Sequence, residues 1–341
     1  MNKKALIALS GGVDSAVALN LMKNNGYDCY GITMHLLDGD EQNITDAKAV
    51  AEAAGVPFSV ADLSDCFRAA VIDEFVKAYE NGLTPNPCVV CNKKLKFGKL
   101  LEICDEKGFD CLVTGHYAKT EHKNGKVYLK KADDPKKDQS YFLYSLTPEQ
   151  LKRVIFPLGE YSKSEIRKIA EKLNLSNAHR RDSQDICFVP DGDYIKVINE
   201  ITNKTYPKGD FIDKSGVVLG KHQGIINYTI GQRKGLGIAL GQPMYVGAKN
   251  AKDNTVTLCD NASLFGSTLE ADGFNWIIKP ETAAFRCKAR IRYRHEEQPA
   301  TVTINGDTVT VVFDEPQRAI TPGQSVVLYD GDYVLGGGII K

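Results

Sequence analysis

Six consecutive residues, Ser10-Gly11-Gly12-Val13-Asp14-Ser15, place two glycines, two hydroxyls and a carboxylate between an apolar run and a helix-like pattern. Adjacent glycines let the backbone turn tightly and aim its N–H groups at an anion, and the helix N-terminus that follows adds partial positive charge. The serine hydroxyls supply further donors, and Asp14 either holds magnesium or orients the loop. The string lacks the Gly-Lys-Ser/Thr ending of the P-loop, so its phosphate cradle is of another kind. A ligand-free glycine turn is the bland alternative, and the full six-residue string in a strand–helix context is more specific than that.

The second reactive set is sulfur. Cys88 and Cys91 form a C-x-x-C inside Thr84-Pro85-Asn86-Pro87-Cys88-Val89-Val90-Cys91-Asn92-Lys93, and Cys187 lies in Asp185-Ile186-Cys187-Phe188. The two prolines forbid regular structure before the pair, and a helix is expected from about Lys93 to Lys107. Cys91 then sits near a helix N-terminus with lysines alongside, which favours thiolate. Of the remaining cysteines, Cys29, Cys111 and Cys287 fall on apolar strands and Cys104 on a helix face, while Cys66 and Cys259 have no clear place. Zinc needs four ligands, and Cys104 and Cys111 are committed to core elements.

These residues need a scaffold. The first ~120 residues alternate strand-like and helix-like stretches, the pattern of a parallel α/β sheet. Strands are expected at Lys4–Leu9, Tyr27–Leu36, Val56–Ala61 and Cys111–Thr114, with helices at Val13–Asn24, Thr45–Ala54 and Asp65–Tyr79. A further helix at Lys163–Leu173 carries a capping box of Ser162 and Glu165. In such sheets a ligand lies at the carboxyl ends of the strands, which brings Met34 and Gly115 beside the phosphate loop together with Ala8 and Leu9. Near residue 203 the texture turns glycine-rich and β-branched. Asn305-Gly306 and Asp330-Gly331 then punctuate alternating strands that read as a small β-barrel. The expected division is a Rossmann-like catalytic domain with a helical extension at 1–202, a small β-rich domain at 203–270, and a barrel at 271–341.

The totals limit the function classes. Lys+Arg and Asp+Glu both number 43 in 341 residues, so any nucleic-acid site must come from local clusters. No segment reaches the ~18–20 apolar residues of a membrane span. Nine cysteines, an odd number, in a chain with no signal-peptide core point to reduced thiols and a cytoplasmic location. One basic cluster stands out. On a strand, Arg286, Lys288, Arg290, Arg292 and Arg294 would share a face at a repeat of ~6.6–7 Å, near the phosphate spacing of a nucleic-acid strand. Lys93, Lys94, Lys96, Arg180 and Arg181 flank the two cysteine segments.

Ser-Gly-Gly-Val-Asp-Ser resembles the pyrophosphate-binding loop of ATP pyrophosphatases, which cleave ATP to AMP and pyrophosphate to activate a carbonyl-type oxygen. Further strings sharpen the resemblance: Thr-Pro-Asn-Pro with Cys-Asn-Lys, Thr-Gly-His-Tyr-Ala (114–118), Lys-Asp-Gln-Ser-Tyr-Phe-Leu (137–143) and Ile-Cys-Phe (186–188). Gly-Gln-Arg-Lys-Gly-Leu-Gly (231–237), Arg-Tyr-Arg (292–294) and Thr-Pro-Gly-Gln (321–324) complete the set. Together they are similar to the tRNA-specific 2-thiouridylases over residues 6 to about 338.

The resemblance implies adenylation of a wobble uridine O2 by ATP with Mg2+. It implies a persulfide on Cys187, and Cys91 as the nucleophile that releases the sulfur and forms a disulfide. It implies tRNA contacts at His116, Asp138, Gln139, Ser140, Arg292, Tyr293 and Gln324, and Phe97 near a target base flipped out of its stack. A cysteine desulfurase or sulfur-relay protein is implied as donor, and a monomer is expected. One departure matters: many relatives carry Asp where this chain has Cys88. Cys88, Cys91 and Cys187 also resemble a three-cysteine set that holds an iron–sulfur cluster in other tRNA thiolases, so a cluster carrying sulfide is a competing mechanism. Amide-forming ligases share the loop but need neither the C-x-x-C nor a basic barrel. A non-catalytic RNA-binding redox protein has no need of an intact phosphate loop.

Overall fold

Ala5, Leu6 and Ile7 have no access to solvent, because the strand they form is covered on both faces. The computed structural model describes residues 2–175 and 186–341. β1 (Lys4–Ala8) leads through the glycine turn into α1 (Val13–Asn24), followed by β2 (Asp28–His35), α2 (Glu41–Ala54) and β3 (Phe58–Asp62). A helical run of α3 (Ser64–Phe67), a π-helical turn and α4 (Asp73–Glu80) crosses the sheet. A second run comprises α5 (Pro87–Cys91), a π-helical stretch Asn92–Lys99 and α6 (Leu100–Glu106), and returns to β4 (Cys111–Val113). Past the hairpin β5 (Lys119–Lys123) and β6 (Lys126–Lys130) come α7 (Pro148–Lys152), β7 (Val154–Ile155), α8 (Lys163–Lys172) and α9 (Tyr194–Thr202). The parallel order is β3-β2-β1-β4-β7. The order of strands along the sheet switches direction between β1 and β4, and sheets of this kind take ligands at the carboxyl ends beside such a switch point.

The expected helix after the prolines begins earlier than its lysines suggest. Pro87 occupies its first turn, where a missing N–H costs nothing, so the C-x-x-C lies inside the helix rather than in the loop before it. The capping box at Ser162 and Glu165 is present as read. The hairpin β5–β6 turns on Asn124-Gly125, both at positive φ, a two-residue signal that the strand count passed over.

The central part is a four-stranded sheet in the order β10-β11-β8-β9. Its strands are β8 (Gly209–Ile212), β9 (Val218–His222), β10 (Tyr245–Asn250) and β11 (Thr255–Cys259). The last six strands are β12 (Phe265–Trp276), β13 (Ala284–Arg290), β14 (Gln298–Asn305), β15 (Thr308–Arg318), β16 (Ser325–Asp330) and β17 (Tyr333–Ile340). They close through a β12–β17 pairing around Val302, Val311, Val326 and Leu328. β6 pairs with β17 at Lys130 and Tyr333, so a hairpin of the first domain extends the barrel sheet.

The barrel also docks directly on the loop that precedes the cysteine helix. The Thr84 N–H donates to Pro322 O (2.9 Å), and Gln324 Nε2 donates to Thr84 O (2.9 Å). Gly323 is so close that a Cβ there would lie 2.9 Å from Thr84 N.

Candidate active site

Gly11 adopts φ 71°, and a Cβ on it would lie 2.9 Å from both Asn43 O and Asp46 Cβ, so only glycine fits between loop and α2. The loop closes on its own hydroxyls. Ser15 Oγ donates to Gly12 O (3.0 Å), accepts from the Ser10 N–H (3.2 Å) and lies 3.3 Å from Ser10 Oγ. Gly12 caps α1 without a side chain, which leaves the helix's first N–H groups to an anion. Gly115, two residues past β4, presses on the first turn of α1, where a Cβ would meet Ser15 N at 2.9 Å. Met34 is partly buried near the end of β2. Ala8, Leu9, Ser10 to Ser15, Met34 and Gly115 therefore meet at the carboxyl edge of the sheet.

Asp14 does not face an open site. Lys163 Nζ donates to both carboxylate oxygens (2.7 and 2.8 Å), and Tyr117 OH donates to Oδ1 (2.8 Å). Of the two roles open to Asp14, the geometry matches orientation of the loop. Among the described residues no group of three His, Cys, Asp or Glu side chains is arranged to hold a metal ion. Asp14 as found does not fit a magnesium ligand, and the three cysteines do not form a cluster cage.

All nine cysteines are free thiols. Cys91 is buried, Cys88 half-buried and Cys187 exposed. The expected low thiol pKa at Cys91 is overturned. Burial raises it, and Lys96, the one cation opposing that, does not compensate. Burial likewise pushes Cys88 up. The Cys187 thiol is pushed up to about 11, first by desolvation and then by its neighbours Cys91 and Cys88. Although the residue as a whole is exposed, enough protein crowds its sulfur for desolvation to lead. A folded-state pKa near 11 leaves only ~10⁻⁴ of Cys187 as thiolate at pH 7. The rate of Cys187 carbamidomethylation, followed by mass spectrometry, should therefore climb about tenfold per pH unit from 7 to 9. A plateau below pH 8 would contradict it.

Thr114 Oγ1 lies 2.8 Å from His116 Nδ1, and burial holds the ring's pKa well below its usual value, so the imidazole is neutral at physiological pH. Phe97, expected at a target base, is fully buried against His116 and Phe156. Asp138 and Ser140 were expected to touch tRNA, but both side chains are buried. Asp138 accepts from the Ala132 N–H (3.1 Å), the Ser140 N–H (3.2 Å) and Ser140 Oγ (2.8 Å). Gln139 Oε1 accepts from the Tyr117 N–H (2.9 Å).

The basic stripe also breaks. β13 ends at Arg290, and each arginine up to 292 has found a partner. Arg286 pairs with Asp314 (2.6 and 2.5 Å), and Arg290 lies 3.6 Å from Asp138 between Tyr141 and Tyr293. Arg292 donates to Ala319 O and to Thr321 Oγ1 (2.8 Å), and Tyr293 packs on Phe142. Lys288 and Arg294 remain exposed, as do Lys93 and Lys94. Arg180 and Arg181 lie outside the described residues.

A glycine loop at a sheet switch point, two separated cysteine segments that meet in one core through Phe188, and a docked β-barrel are the features to match. Residues 3–191 match the model described as a tRNA methyl transferase HUP domain. Residues 195–260 match the corresponding PRC-barrel domain, and residues 266–340 an aminomethyltransferase beta-barrel domain. The tRNA-specific 2-thiouridylase MnmA of Clostridioides difficile is 46% identical over 356 residues, covering 100% of this chain and 99% of its own. That of Treponema denticola is 46% identical over 357 residues, covering 99% of this chain and 98% of its own.

The chain belongs to the tRNA-specific 2-thiouridylase family. Within that family frame the sequence missed Lys163 and Tyr117. Lys163 stands 149 positions from Asp14, and nothing in its capping-box surroundings announces the ion pair.

Proposed function

We propose that this chain binds ATP on the loop ending at Ser15, adenylates O2 of the wobble uridine of a tRNA, and replaces that oxygen with sulfur carried on Cys187. The observation that carries this reading is the meeting of sulfur and phosphate loop. Phe188, beside Cys187, packs edge-on against Phe67 and Phe75 in the core that also holds Cys91, and Asp40 opens α2 next to the loop. Asn43 Nδ2 donates to Asp40 Oδ1 (3.4 Å), and the backbone oxygen of Asn43 closes on Gly11.

The steps balance. Uridine O2 attacks the α-phosphorus and pyrophosphate leaves. The terminal sulfur of a Cys187 persulfide attacks C2, and AMP departs with the former O2. The Cys91 thiolate then attacks Cys187 Sγ, breaking the S–S bond so that sulfur stays on C2. The resulting Cys91–Cys187 disulfide must be reduced by an external thiol before the next turnover. An amide-like oxygen is a poor leaving group and AMP a good one, which explains the use of ATP. A cysteine desulfurase or relay protein loads the sulfane sulfur onto Cys187. No step runs through Mg2+ or a cluster.

The tRNA contacts proposed are His116, Asp138, Gln139, Ser140, Arg292, Tyr293 and Gln324, with Asp138 and Ser140, whose side chains are buried, offering their backbone. The domain limits proposed are 1–202, 203–270 and 271–341, in a cytoplasmic monomer. Among the described residues no helix is long and apolar enough to cross a membrane.

The deciding experiment measures pyrophosphate release from ATP with unmodified tRNA, alongside iron and acid-labile sulfide in protein purified without oxygen. Release that needs tRNA, with no iron, is expected. Release driven by a small carboxylate would make the chain an amide ligase. Stoichiometric iron lost in Cys88→Ala would instead place a cluster on Cys88, Cys91 and Cys187.

A further inference from the structure

Lys163 is only 8% exposed, a deep position for an ammonium, and its Nζ is committed to Asp14. For stability alone such a pair is a poor device, because desolvating two charges offsets most of their attraction and apolar residues would serve as well. Its location suggests another use. Lys163 is the first residue of α8, whose start is fixed by the reciprocal bonds of Ser162 and Glu165 and by the Lys163 N–H donating to Asp134 Oδ2 (3.2 Å). Asp14 is the second residue of α1, inside the turn whose N–H groups form the anion cradle. An uncompensated carboxylate there would repel an incoming triphosphate. Lys163 cancels that charge, and it brings a second helix N-terminus toward the same loop. The Tyr117 hydroxyl fixes the carboxylate from the other side, and its ring lies 5.9 Å from the Lys163 ammonium.

We infer that Lys163 is a phosphate-binding residue of the nucleotide site, held on Asp14 in the free protein and shared with the β- and γ-phosphates when ATP binds. This rests on the assignment of the loop to ATP under the proposed function. It supplies the cation that Asp14, engaged as it is, does not recruit as a metal. The same ammonium then faces pyrophosphate as it forms, so the charge developing on the leaving group is met without rearrangement.

The test compares ATP and AMP affinities, by calorimetry, in Lys163→Met, Lys163→Arg and the double variant Asp14→Asn/Lys163→Met. Lys163→Met should weaken ATP at least about tenfold while AMP stays within about threefold, and Lys163→Arg should retain most ATP affinity. The double variant should remain weak for ATP, because the phosphate contact is still missing. Recovery of wild-type ATP affinity in the double variant would reduce Lys163 to a neutraliser of Asp14 and overturn the inference. Equal loss of ATP and AMP would overturn it too, since that marks a merely structural residue. A wild-type protein that binds ATP but never thiolates tRNA would sink the proposed function and leave the Lys163 result standing.

Discussion

Replacing Cys91 with serine should leave the protein joined to its tRNA through a disulfide on Cys187. The persulfide sulfur that attacks C2 remains bonded to Cys187 Sγ until a second thiolate cuts that bond, and Cys91, in the core that Phe188 beside Cys187 enters, is the proposed attacker. Cys91→Ser removes the cut and leaves the earlier steps alone. Pyrophosphate release should persist for one turnover, while multiple-turnover thiolation falls by a factor on the order of 10³ or more, as when a nucleophile is deleted elsewhere. A slow-migrating protein–tRNA band on a non-reducing denaturing gel, released as thiolated tRNA by dithiothreitol, is the signature. Cys187→Ser should give neither band nor product. Unchanged turnover in Cys91→Ser would remove Cys91 from the mechanism.

Much of the scaffold could be read from local pattern. The buried strands declare themselves as apolar runs, the Ser162–Glu165 box marks a helix start, and Asn305-Gly306 and Asp330-Gly331 mark hairpins that the barrel contains. The glycine turn between β1 and α1 was legible because six adjacent residues carry it. What failed was whatever depends on distant partners. Cys91 has lysines near it in sequence, but burial under residues from other elements decides its pKa and raises it. The arginines of 286–292 look like a free face until Asp314, Asp138 and Thr321 arrive from elsewhere in the chain. The helix start at Pro87 was locally written but misread, since a proline ends one helix and begins another with equal ease.

Gly115→Ala should disable the nucleotide site while leaving the fold standing. Gly115 has no positive φ to protect, so its case rests on space alone. The added Cβ would lie 2.9 Å from Ser15 N, 3.0 Å from the Asp14 carbonyl carbon and 3.3 Å from Asp14 Cβ. These are mostly backbone atoms of the first turn of α1 and cannot rotate away, so the turn must shift by several tenths of an ångström. Overpacking of this kind costs ~1–3 kcal/mol, which a protein of this size survives. The same shift displaces the N–H groups that aim at phosphate and pulls Asp14 off Lys163. A misplacement approaching 1 Å can cost ~10²-fold in rate. ATP-dependent pyrophosphate release should fall by about that factor with only a few degrees lost in Tm. Gly337→Ala is the control: its Cβ would meet Tyr144 Cδ2 at 2.6 Å and Val326 O at 2.7 Å inside the barrel interface. It should lower Tm at least as much yet leave ATP affinity intact. If both variants lose ATP affinity in proportion to Tm, the nucleotide site responds to global stability alone. If Gly115→Ala binds ATP normally, the contact of Gly115 with the first turn of α1 is looser than its geometry states.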